Sequence, residues 1–187
     1  MRLFAAVLPP AGALGELRTA LAALPADEGL RWTGDAGRHF TLAFMGEVRD
    51  DVLSELYVRL ARAAARTAPF PLRLHGVGHF GARALWVGAA GDLDALRMLA
   101  ERADAAARRA GVPMEQHRRY TPHVTLARAR TGTTPDLTPY LDALAAFEGT
   151  RWQVDTLSLV RSNLPTSGIP GERPRYETVE AWPLTGH

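Results

Sequence analysis

The chain of 187 residues contains no cysteine, which excludes disulfides, zinc–thiolate sites and thiol nucleophiles. It also contains no lysine, since all 22 basic residues are arginine. Flat guanidinium forks suit phosphate oxygens, but an arginine- and alanine-rich composition produces the same count. No stretch is long and apolar enough to span a bilayer. The opening "MRLFAAVLPP" is too short an apolar run for a secretory signal, and no small-residue cleavage site follows it. A cytoplasmic protein without membrane association is therefore expected. The formal charge is only +2 although the sequence pI is near 9.5. A hydrophobic fraction of 47% is ordinary for a folded chain, and the length suits one domain or two small lobes sharing a core.

Strand and helix patterns interleave. Strands are expected over 2–10, 38–46, 70–80, 83–89, 121–129, 151–162 and 176–184. Helices are expected over 11–25, 50–66, 92–111 and 135–149, the last with Pro139 in its first turn or at a kink. Segment 92–111 is the clearest, opening on Asp92 and closing on Gly111, a start and a stop with physical meaning at each end. The segment 25–37 reads as polar and turn-rich. Several strand pairs look like hairpins, so the expected class is α+β with antiparallel or mixed sheets and helices outside.

One strand pattern occurs twice. "RHFTLAFMG" and "PHVTLARAR" share His-apolar-Thr-Leu-Ala, and His39 and His123 stand 84 positions apart (123 − 39), as do Thr41 and Thr125. In a strand, residues two apart point to the same side, so each copy offers an imidazole and a hydroxyl on one face and apolar residues on the other. Two bare His-x-Thr triplets are a weak signal. Matched apolar residues at both x positions and the extension to Leu-Ala make a strong one. Two related lobes, each presenting one His-x-Thr edge to a shared cleft, is the natural geometry.

The paired motif resembles that of the 2H phosphoesterases, and in particular the RNA 2′,3′-cyclic phosphodiesterases, also called 2′-5′ RNA ligases or LigT-like proteins. The resemblance runs through "RLFAAVLPP", Trp32, "HFTLAFMGEV", "PFPLRLHGVGHFGARALWVG", "RRYTPHVTLARAR", "LSLVRSNLPTSG" and "YETVEAWPL", nearly the whole chain. Met45 stands where the family usually has leucine. The resemblance implies a single domain over 1–187, made of two pseudo-symmetric lobes with the active cleft between them. It implies hydrolysis of 2′,3′-cyclic phosphate RNA ends to 2′-phosphomonoesters, with His39 as proton donor and His123 as proton acceptor. It also implies a reversible joining of RNA ends through a 2′-5′ bond.

That chemistry needs a base to deprotonate water and an acid to protonate the leaving ribose oxygen. Two imidazoles supply both near neutrality, and the Thr41 and Thr125 hydroxyls can donate to the non-bridging oxygens. No cofactor and no metal is called for. The expected partner is RNA with a 2′,3′-cyclic phosphate terminus, tRNA fragments included, or a nucleotide cyclic phosphate, and the expected state is a monomer. The resemblance places a phosphate-binding arginine at Arg128. Strict alternation puts Arg128 on the face opposite His123 and favours Arg130, unless a bulge or a strand end past Leu126 intervenes. Phe44 has the same difficulty, a base-stacking aromatic by resemblance and a core residue by parity. Tyr120 and Trp32 are further stacking candidates with a core role as the alternative. Three rival readings stand beside this one. The first is a metal site at His75 and His79, whose i,i+4 spacing falls in a glycine-containing strand and turn. The others are a phosphodiesterase of small nucleotides and a non-catalytic RNA-end-binding module.

Overall fold

The computed structural model describes residues 1–116, 119–169 and 172–187. The stretch "RRY" before the second motif and the loop "NLPTSGIPGERPR" therefore lie partly outside the described residues. In chain order the elements are β1 (Arg2–Val7), α1 (Ala11–Ala22), β2 (Leu30–Trp32), β3 (Phe40–Glu47), α2 (Leu53–Ala65), β4 (Phe70–Phe80), β5 (Ala84–Gly91), α3 (Leu93–Ala110), β6 (Val124–Ala129), α4 (Thr138–Leu144), β7 (Trp152–Val154), β8 (Thr156–Asn163) and β9 (Arg175–Pro183).

The strands form two sheets, in the orders β3-β1-β8-β9 and β2-β6-β5-β4-β7. Every pairing among these named strands is antiparallel. The two His-x-Thr copies are thus divided between the sheets, β3 in one and β6 in the other. Both sheets and the helices share one core: Leu3, Phe40 and Leu157 from the first sheet meet Leu85, Val124 and Leu126 from the second, with Leu60 and Leu99 from α2 and α3. Burying one such leucine stabilises the fold by about 2 kcal/mol, so the lobes are held by shared apolar burial.

Helix α3 forms where its pattern predicts. The Asp92 carboxylate accepts the Ala95 N–H at 3.0 Å, and Gly111 ends the helix at φ 96°, a left-handed backbone that glycine adopts without a Cβ penalty. Pro139 sits in the first turn of α4, where its missing N–H costs nothing. Two expectations are corrected. The segment 151–162 is not one strand: the chain breaks at Asp155, so that β7 joins the second sheet and β8 the first. The burial phase slips at the break, from Val154 before it to Leu157 and Leu159 after it; a bulge within one strand produces the same slip, so periodicity alone does not reveal the change of sheet. The turn-rich segment 25–37 contains β2, three residues whose partner strand, β6, lies nearly a hundred residues later.

Candidate active site

His39 and His123 each immediately precede the strand that carries their threonine, β3 and β6. Along these strands the burial patterns coincide. Phe40, Leu42 and Ala43 are buried, Thr41 is half-buried and Phe44 exposed; Val124, Leu126 and Ala127 are buried, Thr125 is half-buried and Arg128 exposed. Two successive buried residues break strict alternation, and the pairing explains how. Ala5 and Ala6 oppose Ala43 and Thr41, leaving Leu42 as an extra residue. Leu85 and Trp86 oppose Ala127 and Thr125, leaving Leu126 extra. The same bulge therefore occurs at the same place in both copies, and the repeated Leu-Ala is the pair that builds it. A bulge adds one residue and reverses the face of those beyond it. Arg128 is thereby returned to the face of His123 and Thr125, and Phe44 leaves the core to stand 48% exposed.

The two edges meet at one cavity of about 490 Å³, lined by His39, Thr41, His123, Thr125, Arg128 and Trp32. Arg31, Arg173 and Tyr176 also line it, with Pro174 and the turn over 33–37. The paired motif points to none of those three, which arrive on β2 (Arg31), on the approach to β9 (Arg173) and on β9 itself (Tyr176). A larger groove of about 920 Å³ continues from the far side of Thr41 and His123, and Phe44, Phe80 and Tyr120 line it. Thr41 and His123 belong to both spaces, so they stand at the junction of a two-armed cleft, with His39 in the first arm.

The other expected contacts separate. Trp32 lines the cavity while its ring meets Tyr140 edge-on at 5.5 Å. Phe44 faces the second arm, with the Arg2 guanidinium 4.8 Å from its ring centre. Tyr120 packs against the core, and burial pushes its phenol above the usual range. Arg130 lies outside both arms; its backbone closes a turn, the N–H donating to Gly29 and the carbonyl accepting from Thr133. His75 and His79 lie on β4, and among the described residues no three His, Asp or Glu side chains converge as a metal site.

Each imidazole is held between aromatic rings. His39 has Phe4 at 4.6 Å and Tyr176 at 5.2 Å; His123 has Phe80 at 4.9 Å and Trp86 at 5.9 Å. His123 Nδ1 lies 2.8 Å from the Thr121 carbonyl. A carbonyl only accepts, so Nδ1 carries the proton and Nε2 keeps its lone pair when the ring is neutral. His39 differs. Burial pushes its pKa down to about 4, the Ala36 carbonyl working in the opposite direction and the Arg128 and His123 charges adding to the depression. Its Nδ1 is buried and makes no hydrogen bond of full geometry. The turn before it is pinned by Asp35, which pairs with Arg18 and, at 3.2 Å, with Arg38. The Arg38 guanidinium is itself buried, which lowers its pKa while Asp35 opposes the shift.

Two antiparallel sheets presenting matched histidine–threonine edges to one cleft define a two-histidine phosphoesterase fold. The chain belongs to the 2′-5′ RNA ligase superfamily, whose family model matches residues 9–165. It is 33% identical over 159 residues to an RNA 2′,3′-cyclic phosphodiesterase of Geobacillus stearothermophilus, covering 83% of this chain and spanning 48%, about half, of that protein. A Thermus thermophilus relative of the same name is 32% identical and is matched over 100% of this chain and 91% of its own length. Among solved structures, E. coli LigT complexed with 3′-AMP superposes with a TM-score of 0.79 at 26% identity, covering 98% of both chains.

Proposed function

We propose that the chain is an RNA 2′,3′-cyclic phosphodiesterase that opens cyclic phosphate ends to 2′-phosphomonoesters by two-histidine acid–base catalysis. The observation that carries this reading is the convergence of both His-x-Thr edges and Arg128 on one cavity. The names of the relatives in Geobacillus and Thermus support the same reaction and an RNA substrate.

In this reading His123 is the base. Its Nδ1–H is engaged by the Thr121 carbonyl, which leaves Nε2 free to take a proton from water. His39 is the acid that protonates the departing 3′ oxygen. Burial keeps it neutral in the empty cleft, so it takes up its proton as the substrate anion arrives between the two rings; a nearby negative charge favours the cation. Thr41 and Thr125 donate to the non-bridging oxygens, and the Arg128 guanidinium bonds the phosphate in the geometry arginine suits. Water attacks phosphorus, the bond to the 3′ oxygen breaks, and the 2′ ester remains. The reaction as drawn uses no metal.

The whole chain, 1–187, acts as one domain of two lobes, and a cleft formed within one chain makes a monomer sufficient. The two-armed cleft favours a second use of the same site, 2′-5′ joining, in which a 5′-hydroxyl strand occupies one arm and takes the place of water. The test is a short RNA ending in a 2′,3′-cyclic phosphate, incubated with chelator and followed by phosphorus NMR. The 2′-phosphate should form with the wild type and fall by a factor of about 10² to 10⁴ in His39→Ala and in His123→Ala. Turnover only after metal is restored, or turnover confined to small nucleotides, would overturn the reading.

A further inference from the structure

Outside the cleft, the antiparallel helices α2 and α3 leave a groove of about 130 Å³ on the molecule's exterior. Its floor is made of Ala63, Ala105 and Ala106, and these small side chains leave the trough open. Five arginines line it: Arg59, Arg62 and Arg66 from α2 and the residue following it, with Arg102 and Arg109 from α3. No acidic residue is among the lining residues. The five arginines are drawn from the 22 of the whole chain and are gathered on the facing sides of two helices.

The cluster is partly built in place. Arg59 pairs with Glu55 at 2.6 Å, and Arg102 donates to the Arg66 carbonyl and to the Thr67 hydroxyl at 3.0 and 2.9 Å. Arg62, Arg66 and Arg109 form no ion pair among the described residues. Favourable interaction with helix C-termini accounts for Arg62 and Arg109, which lie in last turns, but not for Arg59 and Arg102. The three guanidiniums that form no ion pair, on Arg62, Arg66 and Arg109, add like charge to one groove, and an anion there would relieve their repulsion. Helix α3 also relates the groove to the site: its opposite flank, through Arg97, Ala100, Glu101 and Asp104, lines the second arm of the cleft. One helix, about 10 Å thick, separates the two.

We infer that this arginine groove is a second, non-catalytic phosphate-binding site, and that its ligand is the sugar-phosphate backbone of the RNA whose end is processed in the cleft. The inference rests on the RNA reading above. The groove fixes the body of the strand while the histidines act on its terminus, so it selects RNA over nucleotides without touching the reacting atoms.

The test compares wild type with the triple variant Arg62→Gln/Arg66→Gln/Arg109→Gln on three probes. These are a 20-nucleotide RNA with a 2′,3′-cyclic phosphate end, the same RNA with a 3′-hydroxyl end, and a nucleoside 2′,3′-cyclic phosphate. The variant should bind both RNAs at least roughly tenfold more weakly, with the slope of log affinity against log salt reduced by about 2, while its KM and kcat for the nucleotide stay at wild-type values. Retained nucleotide turnover certifies that the variant folds; if the triple variant fails that control, the single variants Arg66→Gln and Arg109→Gln carry the same comparison, with a slope change of about 0.7 each. Unchanged RNA affinity and slope would overturn the inference. So would unchanged RNA affinity accompanied by inorganic phosphate shifting arginine side-chain resonances in the wild type alone, an outcome that assigns the groove to free phosphate. The 3′-hydroxyl RNA keeps the test separate from the proposed reaction, because it reads the groove even if no cyclic end is ever hydrolysed.

Discussion

Removing the His39 imidazole should flatten part of the pH dependence of folding stability. The native pKa of His39 is about 4, whereas an unfolded histidine titrates near 6.5. The unfolded chain therefore takes up this proton first, so stability falls as pH drops from above 6.5 and the loss is complete near pH 4. A difference of about 2.5 units at 1.36 kcal/mol per unit sets the loss at about 3 kcal/mol, lower to the extent that water reaches the half-buried ring. Carboxylates impose their own acid sensitivity, so the informative quantity is a difference between two proteins. Urea unfolding of wild type and His39→Gln at pH 7.5, 6, 5 and 4 gives it directly. The variant should gain on the wild type by about 3 kcal/mol across that range, with unchanged m-values. Parallel stability curves would refute the claim that burial holds His39 neutral. The same reasoning gives the ligand's sign: an anionic phosphate analogue in the cleft should raise the His39 pKa, read as a displaced imidazole titration by proton NMR.

Two further outcomes follow from specific contacts. In the proposed reading Arg128 makes a charge-assisted phosphate contact, worth about 1.5–3 kcal/mol, so Arg128→Ala should lower kcat/KM for a cyclic phosphate substrate by roughly 10- to 150-fold; a loss under twofold would place Arg128 in solvent. Gly78 has the Trp86 ring against it, and an added Cβ would lie 2.2 Å from that ring. Gly78→Ala should therefore displace Trp86, one of the rings beside His123, costing about 1–3 kcal/mol of stability and lowering kcat, as denaturant melts and turnover measured together would show. An intact melt with unchanged kcat would mean the indole does not brace His123.

The strand "FPLRLHGVGHF" lies at 70–80 as β4, and helix α3 runs between its aspartate and its glycine, because each of these signals is local. A period of two, an N-cap carboxylate and a left-handed stop act within a few residues of themselves. Break points between sheets are not local. Asp155 separates two strands whose partners lie in different lobes, and Trp32 belongs to a strand only because β6 passes beside it.

By itself the sequence determined the class of the fold, the repeated His-x-Thr-Leu-Ala and thus the identity of the two imidazoles and two hydroxyls, since these follow from residue type and spacing. Only the tertiary structure decided which face the residues beyond the repeat take. Alternation assigns Arg128 and Phe44 to the core side, and the extra residue at Leu126 and Leu42 reverses them. That register is set by the neighbouring strands, β5 and β1, whose pairing absorbs one residue of β6 and β3 without a partner. The depressed pKa of His39 likewise comes from what covers it, and the company of Arg59, Arg62, Arg66, Arg102 and Arg109 from two helices packed side by side. Burial and convergence are properties of surfaces that meet only once the chain has folded, and no spacing along the chain encodes them.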